Sequence, residues 1–138
     1  MTSDNSLVMC FGSFDILHKG HEYFISCAKE LGENLIIVVA QDHTIFSFKK
    51  KLPHHTLKRR LSDLKFAFPD VTIIPGDEAL GEWDAIKSHS PDIIVVGYDQ
   101  HSLYDALCDI MPQYNFSLTR AKPYKPNIYK SSILRKKI

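Results

Sequence analysis

Two histidines three residues apart, His18 and His21, stand with Gly20 between them just after a short apolar run. An imidazole can donate hydrogen bonds to phosphate oxygens, and a glycine lets the backbone approach a ligand closely. The run before them, Leu7-Val8-Met9-Cys10-Phe11, reads as a buried strand that breaks at Gly12. A helical pattern then begins near His21. Such a strand-to-helix turn is where open α/β sheets bind phosphates, because helix-start N–H groups and the helix dipole attract anions. Alone, the two histidines would also suit core or surface positions or half of a metal site. Zinc is the weakest of these, with no Cys or Glu at a supporting spacing. The stretch from Cys10 to His21 reads as a site for the phosphates of a nucleotide.

The elements that must position it alternate between apolar runs and helical periodicities. Tyr23, Phe24, Ala28 and Leu31 repeat on one helical face, and Gly32 stops it. Leu35 to Ala40 is apolar throughout, as a strand covered on both faces should be. Gln41-Asp42-His43 opens a loop that runs past Phe46, Phe48 and Lys49-Lys50-Lys51 to Pro53. Thr56 is a helix cap ahead of Leu57, Leu61, Leu64 and Phe68. Val71 to Ile74 is a third strand, a short helix spans about Gly81 to Ser88, and Ile93 to Val96 is a fourth strand ending at Gly97. Leu103, Leu107 and Ile110 mark a further helix, Phe116-Ser117-Leu118 a weak fifth strand, and a last helix starts at about Ser131. This alternation predicts a Rossmann-like α/β fold, a doubly wound parallel five-stranded sheet forming a single domain over residues 1–138. In such a sheet the loops after the first, second, fourth and fifth strands share one rim. They hold His18 and His21, the lysines 49 to 51, Asp99 and Arg120.

Composition narrows the partners. With 44% hydrophobic and 24% charged residues the chain is globular, and 17 basic against 16 acidic side chains give no reason to expect a nucleic-acid or membrane surface. The start, Met1 to Ser6, lacks the basic and apolar regions of a signal peptide, and no apolar run reaches transmembrane length. Cys10, Cys27 and Cys108 are odd in number and widely spaced. They read as buried, reduced thiols, which suits a cytoplasmic protein.

Gly12-Ser13-Phe14-Asp15 followed by His18-Lys19-Gly20-His21 resembles the G-x-F-D…H-x-G-H signature of the cytidylyltransferase-like nucleotidyltransferases. That family includes glycerol-3-phosphate and choline-phosphate cytidylyltransferases and the archaeal FAD synthetases. The resemblance implies nucleotidyl transfer, with His18, His21, Lys50 and Arg120 as catalytic groups and Gly12, Ser13, Phe14, Gly20, Gly97 and Asp99 at the nucleotide. It also implies an arginine at the start of a helix. Arg59 matches best, Arg60 stays open, and the acidic residue usual two places earlier is replaced by Leu57. The form Gly97-Tyr98-Asp99-Gln100 is closest to the FAD synthetases, as is Val38 to Asp42, with Gln41 in place of their arginine. The tail departs from the cytidylyltransferase pattern, because the spacing from Arg120 is longer and no glycine precedes Ser131-Ser132. Tyr124, Ser131 and Ser132 are its expected ligand contacts, Tyr124 as a ring face for a flat substrate.

The expected enzyme transfers a nucleoside monophosphate to a phosphorylated acceptor and releases pyrophosphate. ATP with FMN is the preferred pair, and CTP with a polyol phosphate such as glycerol 3-phosphate is the alternative. A nucleotide-binding module that no longer catalyses is the alternative from another class. The co-substrate would come with Mg²⁺ or another divalent cation, with no side chain assigned as metal ligand, and the family implies a homodimer.

Overall fold

A computed structural model describes residues 6–79 and 81–123, so the expectations for Tyr124, Ser131, Ser132 and the last helix lie outside the described residues. Five parallel strands form one sheet: β1 (Leu7–Gly12), β2 (Asn34–Val39), β3 (Thr72–Pro75), β4 (Ile93–Val96) and β5 (Ser117–Arg120), in the order β3-β2-β1-β4-β5. Side chains alternate across a strand, and the two cores divide accordingly. Val8 and Cys10 of β1 with Leu35, Ile37 and Val39 of β2 pack to one side, with Ile25 and Ala28 of α1 (Lys19–Glu30) and Leu64 of α3 (Leu57–Ala67). Met9, Ile36, Val38, Ile94 and Val96 pack to the other, with Ala85 and Ile86 of α4 (Asp84–His89) and Leu107 of α5 (His101–Ile110). Both faces of the central strands are thus covered, which is why their sequences are continuously apolar.

The doubly wound parallel sheet agrees with the sequence reading, and four elements differ from it. Helix α4 starts at Asp84, where the reading began it at about Gly81. The segment expected as a loop after β2 is a helix, α2 (Asp42–Lys49), anchored in the core by Ile45. Lys50 ends it in a left-handed conformation, φ 62°. The first helix begins at Lys19, two residues before His21, because His18 caps it. Arg120 is the last residue of β5 instead of a loop residue. The cysteines also divide. Cys10 is buried, and burial pushes its thiol up to about 12, but Cys27 is half-buried and Cys108 exposed. Cys108 lies on α5, where only Leu107 is fully buried.

Candidate active site

The sheet order reverses beside β1, between β1 and β4, so the chain leaves these neighbours in opposite directions and opens a crevice at their carboxyl ends. A cleft of about 780 Å³ occupies that position, lined from β1, β2, β4 and β5 by Gly12, Ala40, Gly97 and Ala121. The four loops share one rim, as the fold required.

At its floor lies the start of α1. The Gly20 N–H donates to His18 Nδ1 at 3.0 Å, and the His18 N–H donates to His21 Nδ1 at 3.3 Å, so the two residues cap the helix reciprocally. The rings stack with centroids 3.9 Å apart and planes 24° from parallel. Because each Nδ1 accepts a hydrogen bond, the neutral ring carries its proton on Nε2. Burial lowers the pKa of His18, and burial followed by the charge of His18 lowers His21 to about 4. Both rings are therefore neutral donors near pH 7.

The glycines around them are closely approached by ring side chains. A Cβ at Gly20 would lie 2.8 Å from His18 Cε1, and one at Gly12 would lie 2.7 Å from Cε2 of the Phe14 ring. Phe14 is folded back at φ 49° and buried against the cleft floor, where it lies 5.5 Å from His21 between ring centroids. His18, His21, Gly12, Ser13, Phe14, Gly20, Gly97 and Asp99 all line the cleft.

Three cations fall elsewhere. Lys49 lines the cleft and Lys50 does not, because the left-handed cap turns the chain away after α2. Arg59 points along the exposed side of α3, its Nε 3.2 Å from both oxygens of Asp63. Arg120 is also outside the cleft lining: its guanidinium lies 4.2 Å over the Tyr104 ring and 3.1 Å from His101 Nδ1.

Arg60, left open in the sequence, is fully buried. It donates to the His55 carbonyl at 3.1 Å, the Ser13 carbonyl at 2.8 Å and Asp42 Oδ1 at 2.6 Å. One side chain thus fixes the loop after β1 to the starts of α2 and α3. The sequence reading preferred Arg59; the signal for Arg60 is its place on the buried stripe, with Leu64 four residues on. Asp15 makes a second tie, accepting from the N–H groups of His54 at 2.7 Å and His55 at 2.8 Å. Burial opposes ionisation there, but those two donors and the His54 ring hold its carboxyl below the ordinary value. Gln100 makes a third: it accepts from Gly97 N–H at 2.6 Å and donates to the Phe11 carbonyl at 2.9 Å, closing β4 onto β1. No spacing rule reveals a bridge of this kind, because its partner is 89 residues away in the chain.

Comparison with known proteins agrees with this geometry. Residues 9–137 match the cytidylyltransferase-like family. The chain is 32% identical to the FAD synthase of Thermococcus sibiricus over 134 residues, covering 95% of this chain and 90% of that one. It is 34% identical to the FAD synthase of Picrophilus torridus, covering 95% and 94%. Among solved structures, the lipopolysaccharide core biosynthesis protein of Thermoplasma volcanium superposes with a TM-score of 0.74 at 30% identity, covering 87% of this chain and 98% of that one. With a switch-point cleft floored by paired histidines and a match along nearly its whole length, the chain belongs to the cytidylyltransferase-like family.

Proposed function

We infer that the protein is an FMN adenylyltransferase, moving AMP from ATP to the phosphate of FMN to give FAD and pyrophosphate. The chemistry rests on the stacked His18–His21 pair, and the substrates rest on the likeness to FAD synthases along almost the entire chain. A phosphate oxygen of FMN attacks the α-phosphorus of ATP in line. The bond from that phosphorus to the bridging oxygen breaks, and pyrophosphate leaves with the electron pair. No protein nucleophile is needed, so catalysis is positioning and charge stabilisation. The Nε2–H groups of the two histidines and the helix-start N–H groups beneath them supply donors to the oxygens on which charge develops. Lys49 takes the part expected of Lys50, because it is the member of the lysine run on the cleft wall.

A divalent cation would be held chiefly by phosphate oxygens and water. The wall fits that arrangement: among the described residues Asp99 is the one carboxylate lining the cleft and no group of three candidate ligands occurs. Such an ion supplies neutralisation of phosphate charge. Arg120 reaches the phosphates in this reading only by leaving Tyr104 and His101. The resemblance also suggests a homodimer working in the cytoplasm, and light scattering tests the dimer. No helix among the described residues is long and apolar enough to cross a membrane.

The deciding experiment is a pyrophosphate-release panel crossing ATP and CTP with FMN, glycerol 3-phosphate, phosphocholine and sugar phosphates. ATP with FMN should give the highest specificity constant. Release from CTP with glycerol 3-phosphate while ATP and FMN stay inert would replace the substrate pair and keep the class. Nucleotide binding with no release in any arm would leave a binding module.

A further inference from the structure

The helix that the sequence concealed forms one wall of the cleft. Thr44, Ile45, Phe48 and Lys49 of α2 all line it, at positions i, i+1, i+4 and i+5, which is one helical face. Ile45 is buried and holds that face in place, but Phe48 is 67% exposed. Scattered exposed apolar side chains need no explanation. Phe48 is different in kind, for it is set in the wall of a large cleft with Tyr23 and Phe24 of α1 also on that wall. Its neighbour Lys49 is close enough for its charge to act on His21. An exposed ring beside a cation on the cleft wall is complementary to a flat ligand that carries a phosphate.

The cleft has two flanks, and the reaction brings two ligands to one phosphorus between them. Gly97, Asp99, Leu103, Ala121 and Lys122 lie on the flank from β4, α5 and β5, where Gly97 and Asp99 are the residues read as nucleotide contacts. The α2 flank is left for the acceptor. A cleft of about 780 Å³ is near the upper end of small-molecule sites, enough for a ligand on each flank.

We propose that α2 is the acceptor platform: Phe48 stacks on the isoalloxazine ring of FMN, and Lys49 meets the FMN phosphate as it approaches the α-phosphorus. This rests on the FMN reading and goes beyond it by assigning the residues that select a flat acceptor. An aliphatic polyol phosphate would gain the charge of Lys49 but nothing from Phe48. Specificity for a ring would therefore reside in a side chain that does no chemistry.

The test measures FAD formation by the wild-type chain, Phe48→Ala, Phe48→Trp and Phe66→Ala, varying FMN and ATP separately, and follows the flavin absorbance change on binding FMN without ATP. Stacking of a base on an aromatic side chain is typically worth enough that Phe48→Ala should raise KM for FMN roughly 5- to 100-fold. KM for ATP and the turnover at saturating FMN should stay at their wild-type values, and the flavin absorbance change should shrink. Phe48→Trp should restore all three. Phe66, 90% exposed on α3, is the control for loss of a surface ring, and Phe66→Ala should change nothing. Exposure of Phe48 makes misfolding of its variants unimportant, and the tryptophan variant checks it. If wild type makes FAD while Phe48→Ala keeps its KM for FMN, the platform is wrong and the substrate reading stands. If wild type makes no FAD, both fall.

Discussion

At the scale of single residues, the site turns on two imidazoles that cap α1 and that the proposed function assigns to the phosphates. The cap is what makes them donors, since occupying Nδ1 by backbone N–H groups directs the proton to Nε2. Gly20 is the hinge of this arrangement. Alanine is the better helix former by about 1 kcal/mol in a helix interior, so propensity alone predicts that Gly20→Ala is harmless or stabilising. The contact argument predicts the reverse for activity, because the new Cβ would sit 2.8 Å from the His18 ring and push it off its cap. We expect Gly20→Ala to keep its circular dichroism and lose turnover by ~10²-fold, the size of one lost transition-state donor. Unchanged turnover would show that the ring position does not matter. Acid should expose the same device. Burial, then the neighbouring His18, lowers His21 from 6.5 to about 4, so in that interval the unfolded chain binds the extra proton and the folded one does not. Stability contributed by neutral His21 is therefore intact above pH 6.5 and lost progressively as pH falls to about 4. Asp15, whose pKa lies below the ordinary 3.8, loses its contribution at still lower pH. His18, lowered from 6.5 by burial, acts in the same direction as His21 below pH 6.5 and is retained in both proteins compared below. Melting temperatures across the window should fall for wild type and fall less for His21→Ala. Parallel curves for the two would assign the acid sensitivity to another group.

At the scale of elements, the cleft is built by ties between loops as much as by the sheet. Arg60 carries the most of these, and its removal leaves two carbonyls and Asp42 without their donor in a buried place. Breaking such a pair from one side typically costs 3–5 kcal/mol, and since Asp42 is 38% exposed and can recover water, we expect about 3 kcal/mol for Arg60→Ala in chemical denaturation. Arg59→Ala should cost at most about 0.5 kcal/mol, because the Arg59–Asp63 pair is exposed. Similar losses at both positions would mean that the two arginines share the load. The contrast also explains what was legible in the sequence. Strands, whose apolar runs are covered on both faces, could be read within a residue or two. The H-x-G-H turn could be read because its chemistry is local. Helix α2 could not, since it is eight residues long, buries only Ile45, and ends in lysines that look like a solvated loop. The choice between Arg59 and Arg60 depended on which face α3 turns inward, and Lys49 against Lys50 on a left-handed cap that nothing in a lysine run announces.

At the scale of the molecule, the two cores lie on opposite faces of the sheet and meet only through its strands, while the cleft gathers loops from four of the five strands at one end. A ligand seated there touches loops anchored in both halves, so its binding energy should appear as stability of the whole domain. Anything that binds the folded chain alone stabilises it by RT ln(1 + [L]/Kd), or about 2.7 kcal/mol at a hundredfold excess over Kd. For a chain of 138 residues that corresponds to a rise in melting temperature of roughly 5–11 °C. The phosphates are common to ATP and CTP, so charge alone would give equal shifts. A site that hydrogen-bonds its correct base leaves polar groups unpaired with the wrong one, and the difference can reach orders of magnitude in affinity. We therefore expect ATP to raise the melting temperature by several degrees and CTP at the same concentration by clearly less. FMN added with a non-hydrolysable ATP analogue should add a further rise that Phe48→Ala abolishes, because the acceptor flank is then without its platform. Equal shifts from the two nucleotides would show that the folded chain reads phosphate and not base. Discrimination would then have to arise at the chemical step, where only the acceptor's position against the α-phosphorus could supply it.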